Sequence, residues 1–253
     1  MSKNDRLANY QAKQELVASR ALKAKADNRK GLAIAAAAVV VAAAGQLVYF
    51  NFGPGYVEPV AEETNVEETV PTATPTNGPD VPSPDLAENR EWVGSLNLND
   101  SPLEFTLDGV NAPQATANFV SLAQSGYFEN LTCHRLVTEG IFVLQCGDPN
   151  GDGTGGPGYN FGPIENAPEA DLYEEGVIAM ARRGGDDYSM GSQFFIVYEN
   201  STIPSDAVGG YTVFGRVTAG LDAVKAIAEA GTATGASDGP PAEPVVTSNV
   251  SVE

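Results

Sequence analysis

The chain has 253 residues, with 33 Asp/Glu against 14 Lys/Arg and a formal net charge of −19. That length accommodates one sizeable domain with appendages. The charge is lopsided: residues 1–30 carry a local net of +5 and the rest −24, with only six basic side chains after residue 30. A body so acidic repels phosphate backbones, which argues against nucleic-acid binding; solubility is its ordinary explanation.

Taken in order, residues 1–30 form a basic tail that holds good helix formers but no clean apolar face. Residues 31–51 begin with GLAIAAAAVVVAAAGQLVYF, an uncharged run long enough to cross a ~30 Å hydrocarbon core. The competing reading is a cleaved signal peptide, whose apolar region usually runs only ~7–15 residues. As an anchor, with Lys and Arg clustered before it, the run puts the N-terminus in the cytoplasm and the following chain outside. Residues 52–88 are rich in Pro, Thr, Asn, Glu and Asp, the composition of an acidic, extended linker.

A folded domain is expected over 89–253. Trp92–Asn99 and Leu103–Leu107 read as a hairpin around Asp100-Ser101-Pro102. Pro113 opens a helix through Gln124, with Gly126 ending it. A second hairpin spans 131–146 and turns at Thr138-Glu139-Gly140, and a glycine-dense loop runs from Gly147 to Gly158. Further strands are expected at Gly176–Arg182, Gln193–Tyr198, Tyr211–Val217 and Val245–Ser251, with a second helix over Gly220–Ala230 stopped by Gly231. Many short strands and two helices make the domain mainly β, a barrel or a sandwich.

Several chemistries lack their residues. His134 is the only histidine, so one chain cannot build a His-rich metal site, and a Ser-His-Asp relay would have to use His134 itself. Asp148-Pro-Asn-Gly-Asp-Gly echoes a calcium loop but has Tyr159 where the bidentate acid belongs. No helix pattern follows Gly151-Asp-Gly-Thr-Gly-Gly, so it is not a dinucleotide fingerprint. Asn130-Leu-Thr and Asn200-Ser-Thr match the glycosylation sequon, a frequent chance pattern. If the second hairpin turns near Glu139-Gly140, Cys133 and Cys146 fall at its open ends. They are either a disulfide clip or two small buried apolar groups. Arg135, inside this hairpin, needs acceptors from the protein or from a ligand carbonyl.

Phe119-Val-Ser-Leu-Ala-Gln-Ser-Gly-Tyr-Phe128, His134-Arg135 with Phe142-Val-Leu-Gln145-Cys-Gly-Asp148, Gly153-Thr-Gly-Gly156, Met180-Ala181, Gly191-Ser-Gln-Phe-Phe-Ile196 and Val213-Phe-Gly-Arg-Val217 follow one another in order. Together, over about residues 92–253, they resemble the cyclophilin-type peptidyl-prolyl isomerases. The resemblance implies an eight-stranded antiparallel barrel capped by two helices, acting on X-Pro bonds of polypeptides; the chemistry calls for no metal or cofactor, and nothing in the sequence suggests more than a monomer. It makes Arg135 the catalytic guanidinium, and Phe142, Val143 and Phe195 the proline pocket, with Ile203 and Tyr211 at its rim. It gives Gln145, the backbone around Ala181-Arg182 and the side chain of Gln193 to the substrate main chain. The stretch from Arg135 to Phe142 is about two residues longer than in the shortest members. Val143, Ile203 and Tyr211 stand where Met, Trp or Phe, and His are frequent, which leaves cyclosporin sensitivity open. The alternative function is a module that holds proline segments without turnover.

Overall fold

The computed structural model describes residues 75–253. The basic tail, the apolar run and most of the expected linker lie outside that range. Among the described residues no helix is long and apolar enough to cross a membrane.

Among the described residues, eleven strands and two α-helices follow a short 3-10 turn, Pro84–Ala87. They are β1 (Glu91–Leu98), β2 (Ser101–Asp108), α1 (Pro113–Gln124), β3 (Arg135–Glu139), β4 (Ile141–Cys146), β5 (Leu172–Tyr173), β6 (Val177–Met180) and β7 (Phe194–Val197). β8 (Ser201–Thr202), β9 (Val213–Ala219), α2 (Leu221–Ala230), β10 (Asp238–Gly239) and β11 (Thr247–Val252) complete the domain. Nine strands form one antiparallel sheet in the order β10-β3-β4-β7-β6-β9-β2-β1-β11, while β5 and β8 make a separate ribbon. Thr132 bridges Val246, and Asn130 and Cys133 donate to the carbonyls of Thr247 and Val245. These bonds join the approach to β3 with the approach to β11, so the sheet curls into a half-barrel. Eight of its strands have four or more residues; the ninth, β10, has two.

Phe119 of α1 fills the concave side, with its ring centroid 4.7 Å from that of Phe128 and 5.5 Å from those of Phe194 and Phe214. α1 begins at Pro113, whose missing N–H costs nothing at a helix start. Its N-cap residue Ala112 offers no side-chain acceptor, and Glu165 takes that role from another loop, accepting from Gln114 N and Ala115 N, each at 3.0 Å.

The expected linker ends earlier than residue 88. Ser83 caps the 3-10 turn, Ala87 is fully buried, and Trp92 Nε1 donates to its carbonyl at 2.9 Å. Asn77 donates to the Gly162 carbonyl at 2.8 Å and accepts from Gly162 N at 2.9 Å, while Gln114 Nε2 donates to Pro82 O. Val81 and Leu86 pack on the core. Three apolar residues in a polar stretch make too weak a compositional signal, yet each is seated. Gly109 makes room, because a Cβ there would strike the Ala87 and Arg90 carbonyls.

The site is set by the two-residue period of strands. β3 and β4 pair Arg135 with Gln145, Val137 with Val143 and Glu139 with Ile141, leaving Gly140 alone in the turn at φ 79°. β7 adds Phe195 opposite Gln145, and β6 adds Ala179 opposite Phe195. These residues share one face. Leu136, Leu144, Ile196 and Ile178 point the other way, into the Phe119 core. Val137, Val143, Tyr173, Val177, Ala179, Phe195, Val197 and Ile203 form a second apolar cluster on the outer side. All four residues of both β6 and β7 are therefore buried, since apolar groups cover both faces.

Candidate functional site

The outer cluster opens into a cavity of about 300 Å³ whose walls include Val143, Phe195, Ile203, Tyr211, Ile141 and Arg135. Gln145, His134, Asp152, Gly153, Ala181 and Arg182 complete the lining. The Phe195 ring meets Tyr211 edge to face at 5.5 Å, and Tyr211 N donates to the Tyr173 hydroxyl at 2.7 Å. A second cavity of about 630 Å³, bounded by the glycine-rich loop and by Gln193, Arg183 and Ser189, shares Gln145, Gly153, Ala181 and Arg182 with the first. An extended chain crossing both would place an apolar ring in the small cavity and its main chain between Gln145 and Gly153.

Phe142 is not in this wall. It pairs with Thr138, its ring lies edge to face with Tyr198 at 5.9 Å, and it packs against the Phe119 core. Val143 and Gln145 have the same parity, so Phe142 between Ile141 and Val143 must face away. Ile141 holds the place expected for Phe142.

Arg135 is fixed by a residue that the sequence reading missed. Its Nε and Nη2 donate to the two carboxylate oxygens of Asp238, at 2.8 and 2.7 Å. β10, two residues long, delivers that carboxylate beside β3. These bonds, donated by Arg135 and accepted by Asp238, raise the Arg135 pKa above its ordinary value and hold the Asp238 carboxyl below its own. Such a fork-to-fork pair fixes the plane of the guanidinium. Arg135 Nη1 lies 3.4 Å from Gln145 Oε1, Gln145 Nε2 donates to Gln193 Oε1 at 2.8 Å, and Gln193 Nε2 donates to the carbonyls of Gly153 and Gly155. Arginine only donates and carbonyls only accept, so the orientation of both amides follows from the ends of the chain.

The two cysteines form a disulfide. It closes the open end of the β3–β4 hairpin, directly behind Arg135 and Gln145. Arg182 has a different position from Arg135. Its side chain is 1% exposed and is held by Asp206 at 2.9 Å and by the carbonyls of Gly209 and Gly210, with the guanidinium 4.9 Å from the Tyr211 ring centroid. It braces the 206–210 loop. Ala181 N donates to the Gln193 carbonyl at 3.0 Å, tying the rim between the cavities to the same network.

In the glycine-rich loop, Asp148 is buried and accepts from the backbone N–H groups of Asn150, Asp152 and Gly153. Gly155 has to lack a side chain, because a Cβ would collide with that carboxylate. Next to the loop, His134 is kept below its ordinary pKa chiefly by burial, and its Nδ1 has no partner among the described residues. Hydrogen bonds from Thr154 hold the Asp152 carboxyl below the usual range. Among the described residues, no group of three or more His, Cys, Asp or Glu is placed to hold a metal ion.

Comparison with known proteins agrees with this architecture. The family model described as cyclophilin type peptidyl-prolyl cis-trans isomerase/CLD matches residues 95–252. The chain is 44% identical over 168 residues to a probable peptidyl-prolyl cis-trans isomerase B of Mycobacterium tuberculosis, covering 62% of this chain and 53% of that protein. It is likewise 44% identical over 135 residues to the peptidyl-prolyl cis-trans isomerase B of Bacillus subtilis, covering 53% of this chain and 88% of the relative. A crystal structure of a Cryptosporidium parvum cyclophilin-type isomerase is similar with a TM-score of 0.54 and 27% identity, covering 65% of this chain and 98% of that one. The chain spans about half the length of the mycobacterial relatives it matches. It belongs to the cyclophilin-type peptidyl-prolyl cis-trans isomerase family.

Proposed function

We propose that the chain is a peptidyl-prolyl cis-trans isomerase acting on X-Pro bonds of exported or cell-surface proteins. Residues 31–51 would tether it to the cell membrane as a single span, with the N-terminus cytoplasmic and the catalytic domain outside as a monomer. The tether rests on the length and charge flanks of the apolar run. The observation that carries the activity is the pairing of an apolar cavity with a guanidinium fixed at its edge.

Rotation about a peptide bond meets a barrier of ~18–20 kcal/mol because the nitrogen shares its lone pair with the carbonyl. No bond breaks, so neither nucleophile nor metal is needed; the requirement is a site that binds the twisted state more tightly than the planar one. Val143, Phe195, Ile141, Ile203 and Tyr211 take the proline ring. Gln145, Gln193 and the backbone at Ala181-Arg182 hold the main chain. Two of the five N–H groups of Arg135 go to Asp238 and one on Nη1 reaches Gln145 Oε1 at 3.4 Å, so the second N–H of Nη1 and that of Nη2 remain to donate toward the pyramidal proline nitrogen or its carbonyl.

One observation favours a second reading, a module that only holds proline segments: the charge of Arg135 is already answered by Asp238. Measuring cis/trans exchange of a proline tetrapeptide by NMR with the full chain separates the two. The enzyme speeds exchange at substoichiometric amounts, whereas a holder shifts populations only in proportion to its concentration.

A further inference from the structure

We propose that the cavity selects proline segments carrying Lys or Arg next to the proline, and that Asp152 is the residue that selects them. The inference rests on the isomerase reading of the cavity and names its substrate class.

Three charged side chains line the cavity: Arg135, Arg182 and Asp152. Both cations are matched, Arg135 by Asp238 and Arg182 by Asp206. The same holds for the rest of the domain, where Arg90, Arg183, Arg216 and Lys225 are each paired with a carboxylate. All six Lys and Arg side chains among the described residues are thus paired with carboxylates. Among the described residues Asp152 has no cationic partner. Thr154 N and Oγ1 both bond its Oδ1, at 2.9 and 2.6 Å, so among the described residues Oδ2 is left without a donor. The imidazole of His134 lies nearby but is disfavoured as a cation by its burial. Among the described residues, the one unanswered charge in the cavity wall is therefore a carboxylate, fixed by two hydrogen bonds with an oxygen to spare.

An ammonium or guanidinium beside the proline gains a partner there, and a carboxylate meets repulsion. Overall negative charge alone would favour any cationic peptide without regard to Asp152, so the test has to separate the local group from the field. Exchange rates are measured with the full chain on peptides whose residue before or after the proline is Lys, Ala or Glu. The parent protein is compared with Asp152→Asn and with Glu91→Gln, a change of equal charge at an exposed position on β1. Because exposed ion pairs are weak, at least one position should favour Lys over Glu by about two- to fivefold at low salt. That ratio should fall towards one in Asp152→Asn and in about 1 M salt, and persist in Glu91→Gln. Equal rates for Lys and Glu at both positions, or an undiminished ratio in Asp152→Asn, would overturn the proposal. Peptide binding, followed by NMR titration, keeps the two readings apart. Binding that ranks Lys above Glu without any turnover sinks the isomerase reading alone, and turnover without ranking sinks the selection alone.

Discussion

Replacing Asp238 with Ala should impair catalysis far more than folding. The Arg135–Asp238 pair is half exposed, with side-chain exposures of 40% and 52%. Pairs of that kind contribute about 0–1 kcal/mol to stability, so the melting temperature should drop by no more than about 4 °C. The catalytic loss has a different origin. An arginine side chain carries about 2 kcal/mol of rotamer entropy, and the carboxylate removes it before substrate arrives. Without Asp238 the guanidinium keeps only the 3.4 Å contact to Gln145 and has to be ordered in each turnover. If half to all of that entropy returns to the barrier, kcat/KM falls by about five- to thirtyfold. The loss should appear mainly in kcat, since the donor acts on the twisted state rather than on the bound ground state. Asp238→Asn, which keeps one acceptor, should fall in between. NMR exchange rates beside thermal melts supply both quantities. A wild-type kcat/KM in Asp238→Ala would refute the positioning argument, and a raised one would mean that the carboxylate restrains Arg135.

Three other outcomes can be checked. Ile141→Ala should lower kcat/KM about three- to tenfold, whereas Phe142→Ala should leave KM alone and lower stability by about 1–2 kcal/mol; the reverse order in peptide kinetics would contradict the face assignment. The disulfide joins residues 13 apart, so replacing both Cys133 and Cys146 by Ala should remove about 3 kcal/mol and lower the melting temperature by about 6–12 °C, while unchanged melting would refute the clip. The folded-state pKa of His134 is depressed, among Asp148, Asp152 and Arg135, so the unfolded chain takes up the proton more readily. Its full contribution is present above the ordinary value near 6.5 and is lost as pH falls through the lower folded value. Glu165, raised by burial, is common to both proteins, so the difference in denaturant stability between parent and His134→Gln isolates the histidine. That difference should narrow or reverse on acidification, and pH-independence would count against the assignment.

What could be read from the chain followed its local signals. α1 has the bounds that Pro113 and the following pattern predict, and Gly231 stops α2. The first hairpin turns earlier than expected. Asn99 takes a positive φ, and Leu98 already pairs with Ser101, so Pro102 joins β2 where no β9 ladder bond needs its N–H. Phe142 was legible but misassigned. Val143 and Gln145 fix the parity of the strand, and neighbouring residues cannot share a face, so the turn of Phe142 away from the cavity follows from the strand period alone. Asp238 was not legible, since it lies 103 residues from Arg135 and its strand has two residues, too few for any period. The strap over residues 77–87 was hidden for a related reason: its burial depends on side chains of Gln114 and Trp92 that only the fold brings near.

The central claim is that the guanidinium of Arg135, at the edge of an apolar proline cavity, lowers the barrier to X-Pro rotation. Its most direct test is the exchange rate of a proline peptide with Arg135→Ala, alongside a thermal melt. A drop in kcat/KM of at least about tenfold, or roughly 1.4 kcal/mol, with the fold retained, is the expected result. Exchange at the parent rate in a folded Arg135→Ala protein would contradict it.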